Sequence, residues 1–377
     1  MGKRSALCAA FAVMAALSHC AARSECSALD ISCGLPAYLL MLQSRQFAYI
    51  ANASTFEAFR YDQNTSQLTL LQTVASGQRC DAVRPHPYGF FLDCVVDVAG
   101  TDYLRVFRIG SGGVLSFIEE FNIGSVTGLG LANHHRGDIV VLIVDTFSRY
   151  YLYQMDQITG HLTLASQSPA GVGGAASAMS RDGNFIYGRT SGASQVTLRI
   201  TGTSITQMQD LGNPGTNTFT FTTTPDGFYQ LQNINQALGI RRYTVNGDGT
   251  LSAPLDYPNS AQSEIFDDDS WTPDGRFFYT RSGASADNLR GYAYSGGNIS
   301  LVTGTPIVLP GGLGTPTVDP GGKYVFIDRS AAGLYHVFQI NRITGELTQM
   351  ADSPRACTSN PCGRISFGTR ARFPGDF

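Results

Sequence analysis

Residues 272–280 read TPDGRFFYT, and the same short phrase returns along the chain. Residues 224–229 read TPDGFY, residues 180–187 SRDGNFIY and residues 319–326 DPGGKYVF. Each copy starts a longer unit of turn, apolar strand, gap, second strand, Gly-containing turn and third strand. Residues 319–350 give it in full: DPGGKYVFIDRSAAGLYHVFQINRITGELTQM. Related units run through 272–307, 224–253, 180–208, 135–164 and 86–118, and a first copy without the turn glycine covers 45–71. The turn position steps through Arg45, Gly89, Gly137, Gly183, Gly227, Gly275 and Gly322, a spacing of about 44 to 48 residues. The apolar stretch before each turn supplies a fourth, innermost strand. One four-stranded sheet cannot bury both faces, whereas seven in a ring cover each other. The expected fold is therefore all-β: a seven-bladed β-propeller of four-stranded antiparallel blades. Asp-Gly in the phrase suits a tight hairpin, because Gly takes positive φ.

The ring also has an expected closure. The first copy lacks an inner strand, and CGRISFGTRARF (362–373) alternates as one should. Pairing that C-terminal strand with the sheet begun by residues 45–71 closes one blade from both ends of the chain and removes an exposed edge.

Composition agrees. Gly accounts for 42 of 377 residues and charged residues for 15%, against about 25% in soluble domains. A net charge of -3 excludes a basic nucleic-acid footprint. Residues 1–22 read as a signal peptide: Lys3 and Arg4, then an apolar run too short to span a membrane, then Ala22. Lipoprotein anchoring at Cys20 is the alternative, opposed by bulky His19. Residues 23–44 form an N-terminal extension, and 45–377 are expected to be one propeller, secreted or periplasmic, with no transmembrane segment in the mature chain. Six cysteines remain, Cys26, Cys33, Cys80, Cys94, Cys357 and Cys362, an even set that suits disulfides in an exported chain. Locality suggests Cys26–Cys33, Cys80–Cys94 and Cys357–Cys362. No metal site or cofactor is expected, because neither CxxC nor HxxxH spacing occurs.

The repeat, with its inner strand, PDGR-F-Y turn and recurring third turn in QITGHLTL (157–164), RITGELTQ (342–349) and GDGTLSA (247–253), resembles the lactonase-type, 6-phosphogluconolactonase-like propeller family over residues 45–373. The resemblance implies hydrolysis of a sugar lactone by His and Arg at the central mouth. At the matching places this chain departs. Ser270 or Trp271 stands where a His is expected in FDDDSWTPDGR (266–276), and NTFTFTTTPDG (217–227) lacks an Arg-His pair. GGAASAMSRDG (173–183) lacks a His, and LGTPTVDPGG (313–322) lacks an Arg.

Other polar residues fall near the expected axis. His134 is the candidate general base, with Asp268 to orient it or hold a cation. Arg84, Asp269, Trp271 and Arg364 are candidate ligand-binding residues. Arg84 and Arg364 would form a bidentate anion clamp if both reach one mouth, and Trp271 would either stack on a sugar or pack in the core. Two readings stand. One is a non-catalytic exported scaffold that binds a protein or a small carbohydrate-like ligand at the channel mouth. The other is a divergent sugar-lactone hydrolase.

Overall fold

A computed structural model gives the structure of residues 47–52, 55–75, 80–87, 89–125, 129–133, 137–144, 149–173, 177–190, 194–212, 220–234, 239–257, 264–265, 270–282, 288–309, 312–329, 332–357 and 363–368. Among these described residues there is no α-helix, and the strands form seven antiparallel sheets. The proposed signal peptide and extension (1–44), with Cys26 and Cys33, lie outside them.

The innermost strands, in ring order, are Ile365–Phe367, Cys80–Pro85, Leu129–Asn133, Ser177–Met179, Phe221–Thr223, Glu264–Ile265 and Thr317–Val318. The first blade closes as the sequence suggests. Leu68–Ala75, Thr55–Tyr61 and Phe47–Ala51 are followed in space by Ile365–Phe367, with Ala48 opposite Phe367 and Ile50 opposite Ile365. Blades six and seven each carry one extra short strand, Ile307–Val308 and Arg355–Ala356, added to the third strand.

The repeated phrase builds the turn between first and second strands. Gly89, Gly137, Gly183, Gly227, Gly275 and Gly322 have φ between 63° and 75°, a region where a Cβ is strained. The Thr or Ser and the Asp of the phrase clasp each other: Thr272 Oγ1 donates to Asp274 Oδ1 (2.7 Å), Thr224 Oγ1 to Asp226 Oδ1 (2.6 Å) and Ser180 Oγ to Asp182 Oδ1 (2.5 Å). In DPGGKY, Asp319 does both tasks, accepting the backbone N–H groups of Gly321, Lys323 and Tyr324 at 3.0, 2.6 and 2.7 Å.

The third turn locks neighbouring blades. Gly160, at φ 82°, lies so close to the Phe91 ring of the preceding blade that any Cβ would overlap it. Gly345 meets Phe277, Gly113 meets Phe47 and Gly249 meets Phe185 in the same way. An arginine completes several of these locks. Arg108 covers Phe91 at 5.2 Å and donates to the Ile158 and Thr159 carbonyls of the next blade at 2.9 and 3.0 Å. Arg276 covers Phe277 at 5.5 Å and donates to the Arg342 carbonyl at 2.6 Å.

Seven hydrophobic layers fill the gaps between blades. Phe56 and Tyr49 pack on Leu92 and Phe107 between the first and second, and Tyr324 and Phe326 pack on Ala48, Ile50, Ile365 and Phe367 between seventh and first. Leu231 and Ile240 meet Trp271 and Phe278 between fifth and sixth. The ring is thus continuous through its own core.

Cys80 and Cys94 form a disulfide between the inner and second strands of blade two, with Cα atoms 5.7 Å apart. Closing a loop of sequence separation 14 stabilises the fold by about 3 kcal/mol in the chain-entropy model. Cys357 is also disulfide-bonded; Cys362 lies outside the described residues.

Candidate functional site

The inner strands of consecutive blades stand side by side around the axis, Ile365–Phe367 next to Cys80–Pro85 and Cys80–Pro85 next to Leu129–Asn133. Their backbone direction is set by the turn phrase, so polar side chains on them either face the channel or reach sideways to a neighbouring blade. Four of the described ones reach sideways. Arg84 donates through Nε to the Leu131 carbonyl of blade three at 3.1 Å. Thr223 Oγ1 donates to the Met179 carbonyl of blade four at 2.8 Å. Ser270 Oγ donates to the Pro316 carbonyl of blade seven at 3.0 Å. Arg364 donates through Nε to Thr317 Oγ1, also on blade seven, at 3.1 Å. These contacts form a polar girdle between inner strands.

Arg84 and Arg364 do lie on adjacent inner strands, because the C-terminal strand completes blade one. Their Nε bonds point opposite ways around the ring, one to blade three and one to blade seven. Both guanidinium groups are half-buried. Trp271 is wholly buried at 0% exposure, with its ring 4.5 Å from Phe278 and edge-on to Tyr294 at 5.5 Å. Its Nε1–H donates to Thr222 Oγ1 across the fifth and sixth blades at 3.0 Å. His134, Asp268 and Asp269 lie outside the described residues.

Sequence reasoning missed a second set of polar groups, on blades four to seven, toward the end where the second strand finishes. Gln232 Nε2 donates to Gln195 Oε1 between blades five and four at 3.2 Å. On the seventh blade His336 is 6% exposed, and among the described residues neither ring nitrogen has a partner. Burial, and then the nearby charge of Arg329, push its pKa below the usual imidazole range. Arg281 on the sixth blade has a buried Nε, also without a partner among the described residues, and burial lowers its pKa against the opposing pull of Asp328. The signal that would have found them is the alternation of Phe277, Tyr279 and Arg281, but only once the face of that strand is known.

The depressed His336 has a defined pH consequence. Its neutral form is favoured in the folded state, so its contribution is fully present above the unfolded value of 6.5. As pH falls from 6.5 through the lower folded value, the unfolded chain takes up the proton first and stability drops. His336→Phe is expected to flatten this part of the profile. Denaturant midpoints at pH 7.5 and 5 for both proteins test it; an unchanged slope in the variant would count against the assignment.

Among the described residues no helix is long and apolar enough to cross a membrane, and no group of three or more His, Cys, Asp or Glu gathers in metal-binding geometry.

No protein-family model matches this chain, and no curated protein aligns with it. Solved structures do match. The periplasmic gluconolactonase of Pseudomonas aeruginosa superposes with a TM-score of 0.66 at 13% identity, covering 85% of this chain and 98% of that one. A protein of Bacteroides uniformis provisionally named a 6-phosphogluconolactonase gives 0.67 at 15% identity, over 85% and 99%. A Lactobacillus plantarum protein gives 0.68 at 13% identity, over 85% and 99%. At such identities the likeness speaks for the fold alone: the chain is a seven-bladed propeller of the lactonase-like architecture.

Proposed function

We propose that this chain is an exported lactonase-like propeller that serves as a non-catalytic binding or interaction scaffold. The observation that carries the reading is the girdle. In three of the four segments where the family resemblance calls for His or Arg, this chain has Ser270 and Trp271, Thr222 and Thr223, and Thr317, each engaged in an inter-blade contact. Groups held this way brace the channel wall, and none of them is an imidazole or guanidinium able to act as a general base or an anion clamp. The partner is a protein or a small carbohydrate-like ligand at the channel mouth, with Arg84 and Arg364 as the candidate contacts among the described residues. The Cys80–Cys94 disulfide supports an oxidising compartment.

Sugar-lactone hydrolysis is the competing reading, and the likeness to the periplasmic gluconolactonase favours it. The two part in one assay. Purified protein is mixed with 6-phosphogluconolactone and, separately, with the unphosphorylated lactone, beside His134→Ala. The scaffold reading expects ring opening at the uncatalysed rate in every sample. Robust turnover that His134→Ala abolishes would restore the enzyme.

A further inference from the structure

We propose that the crevice between the sixth and seventh blades, where Phe277–Ser282 ends and Leu334–Ile340 begins, binds a small oxyanion between Arg281 and His336. This does not depend on whether the channel mouth binds or hydrolyses anything.

Strand alternation places both side chains in the crevice. Phe277 and Tyr279 pack in the layer between blades six and seven, while Phe278 packs toward blade five. Arg281 follows the first pair with period two and so enters the same layer. On the seventh blade Phe338 and Ile340 face blade six, while Tyr335 and Val337 face blade one. His336 therefore enters from the opposite wall. Second strands end and third strands begin on one face of the ring, so the two groups also share a height. His336 stands opposite Ile327 in the ladder, one residue before Asp328, whose charge acts on Arg281.

The charge inventory favours an anion. Arg329 acts on His336 from its own blade. Among the described residues the nearby carboxylate is Asp328, which packs against Gly314, where no Cβ would fit. Arg290 alternates onto the other face with Tyr292, toward blade five, and Arg355 is turned away to Ser66 and Asp352. Among the described residues the crevice thus presents two guanidinium groups and an imidazole against one carboxylate, over an apolar floor of Leu309, Leu313 and Ile327. Buried donors without acceptors are costly. Arg Nε–H and an imidazole N–H are both donors, and a ligand with only acceptor oxygens satisfies both at once. A cation would meet two like charges.

Carboxylates and tetrahedral oxyanions share this chemistry, and two probes separate them. Thermal unfolding is followed in sodium sulfate and in sodium acetate against sodium chloride at matched ionic strength. The proteins are the wild type, Arg281→Leu and His336→Phe. The proposal expects a saturable rise with at least one probe, about 4 °C at a hundred times the dissociation constant, and at least a tenfold loss of affinity in both variants. Saturation by sulfate alone assigns a tetrahedral ligand, and by acetate alone a carboxylate. Exclusion of salt from the surface gives instead a linear rise that the variants keep. Should a variant fail to fold, ring NMR of wild-type His336 decides: its resonances move saturably with sulfate or acetate and not with chloride. A non-saturating response to both probes, or ring resonances that stay in place, overturns the site.

Discussion

Ending the chain after Gly363 is expected to leave little folded protein. The deletion removes Ile365 and Phe367, both buried between the seventh and first blades. Phe367 lies 4.9 Å from the Tyr61 ring and 5.4 Å from that of Phe326, so the loss opens a cavity as well as an edge. Removing two such side chains costs about 6 kcal/mol, a large share of the ~5–15 kcal/mol that holds a domain together. The cut also leaves Phe47–Ala51, still paired with Thr55–Tyr61 on one side, as an exposed sheet edge, which invites aggregation. The point variant Phe367→Ala measures the same contact more gently, with an expected loss of about 4 kcal/mol and a fall in Tm of ~6 °C. A truncated chain that melts with the wild type would mean the ring closes some other way.

Trp271→Ala is expected to cost about 4 kcal/mol, because a fully buried indole leaves a void the surrounding strands cannot fill. Thr222 loses the indole donor at the same time. Trp271→Phe should lose roughly half as much, since the contact with Phe278 survives in part. Trp271 is the chain's single tryptophan, so its fluorescence reports directly on the fifth-to-sixth blade contact during unfolding. Urea titration gives the loss as a shift in midpoint at constant slope. A Trp271→Ala protein of wild-type stability would place the indole at the surface, where a ligand could stack on it.

The architecture was legible because the backbone leaves few choices. A hairpin that needs positive φ asks for Gly at each copy, and six copies comply. The missing inner strand of the first copy, with one spare alternating segment near the C-terminus, fixed the closure in advance. Cys80 and Cys94 were legible for the same reason: one lies on the inner strand and the other on its antiparallel partner.

Side-chain direction was not legible. Alternation tells that Arg281 and Tyr279 share a face, but not which blade that face meets. Core packing was the favoured reading of Trp271 over stacking on a sugar, but which partners it packs on, Phe278, Tyr294 and Thr222, was not legible. The lock of Gly160 on Phe91 was hidden as well, because the two residues belong to different repeats. In the sequence, Arg84 and Arg364 read as a pair for one anion. Their bonds run to different neighbours because each inner strand offers its carbonyl and hydroxyl groups to the strand beside it.

Whether those arginines brace the wall is therefore the central question. The most direct measurement is thermal unfolding of Arg84→Ala and Arg364→Ala, with lactone turnover read on the same samples. Each loses a hydrogen bond from a charged donor and the packing of its stem, so each is expected to fall by about 2 kcal/mol, ~3 °C in Tm, with turnover at the uncatalysed rate throughout. Wild-type melting in both variants, together with lactone turnover that they abolish, would contradict the account.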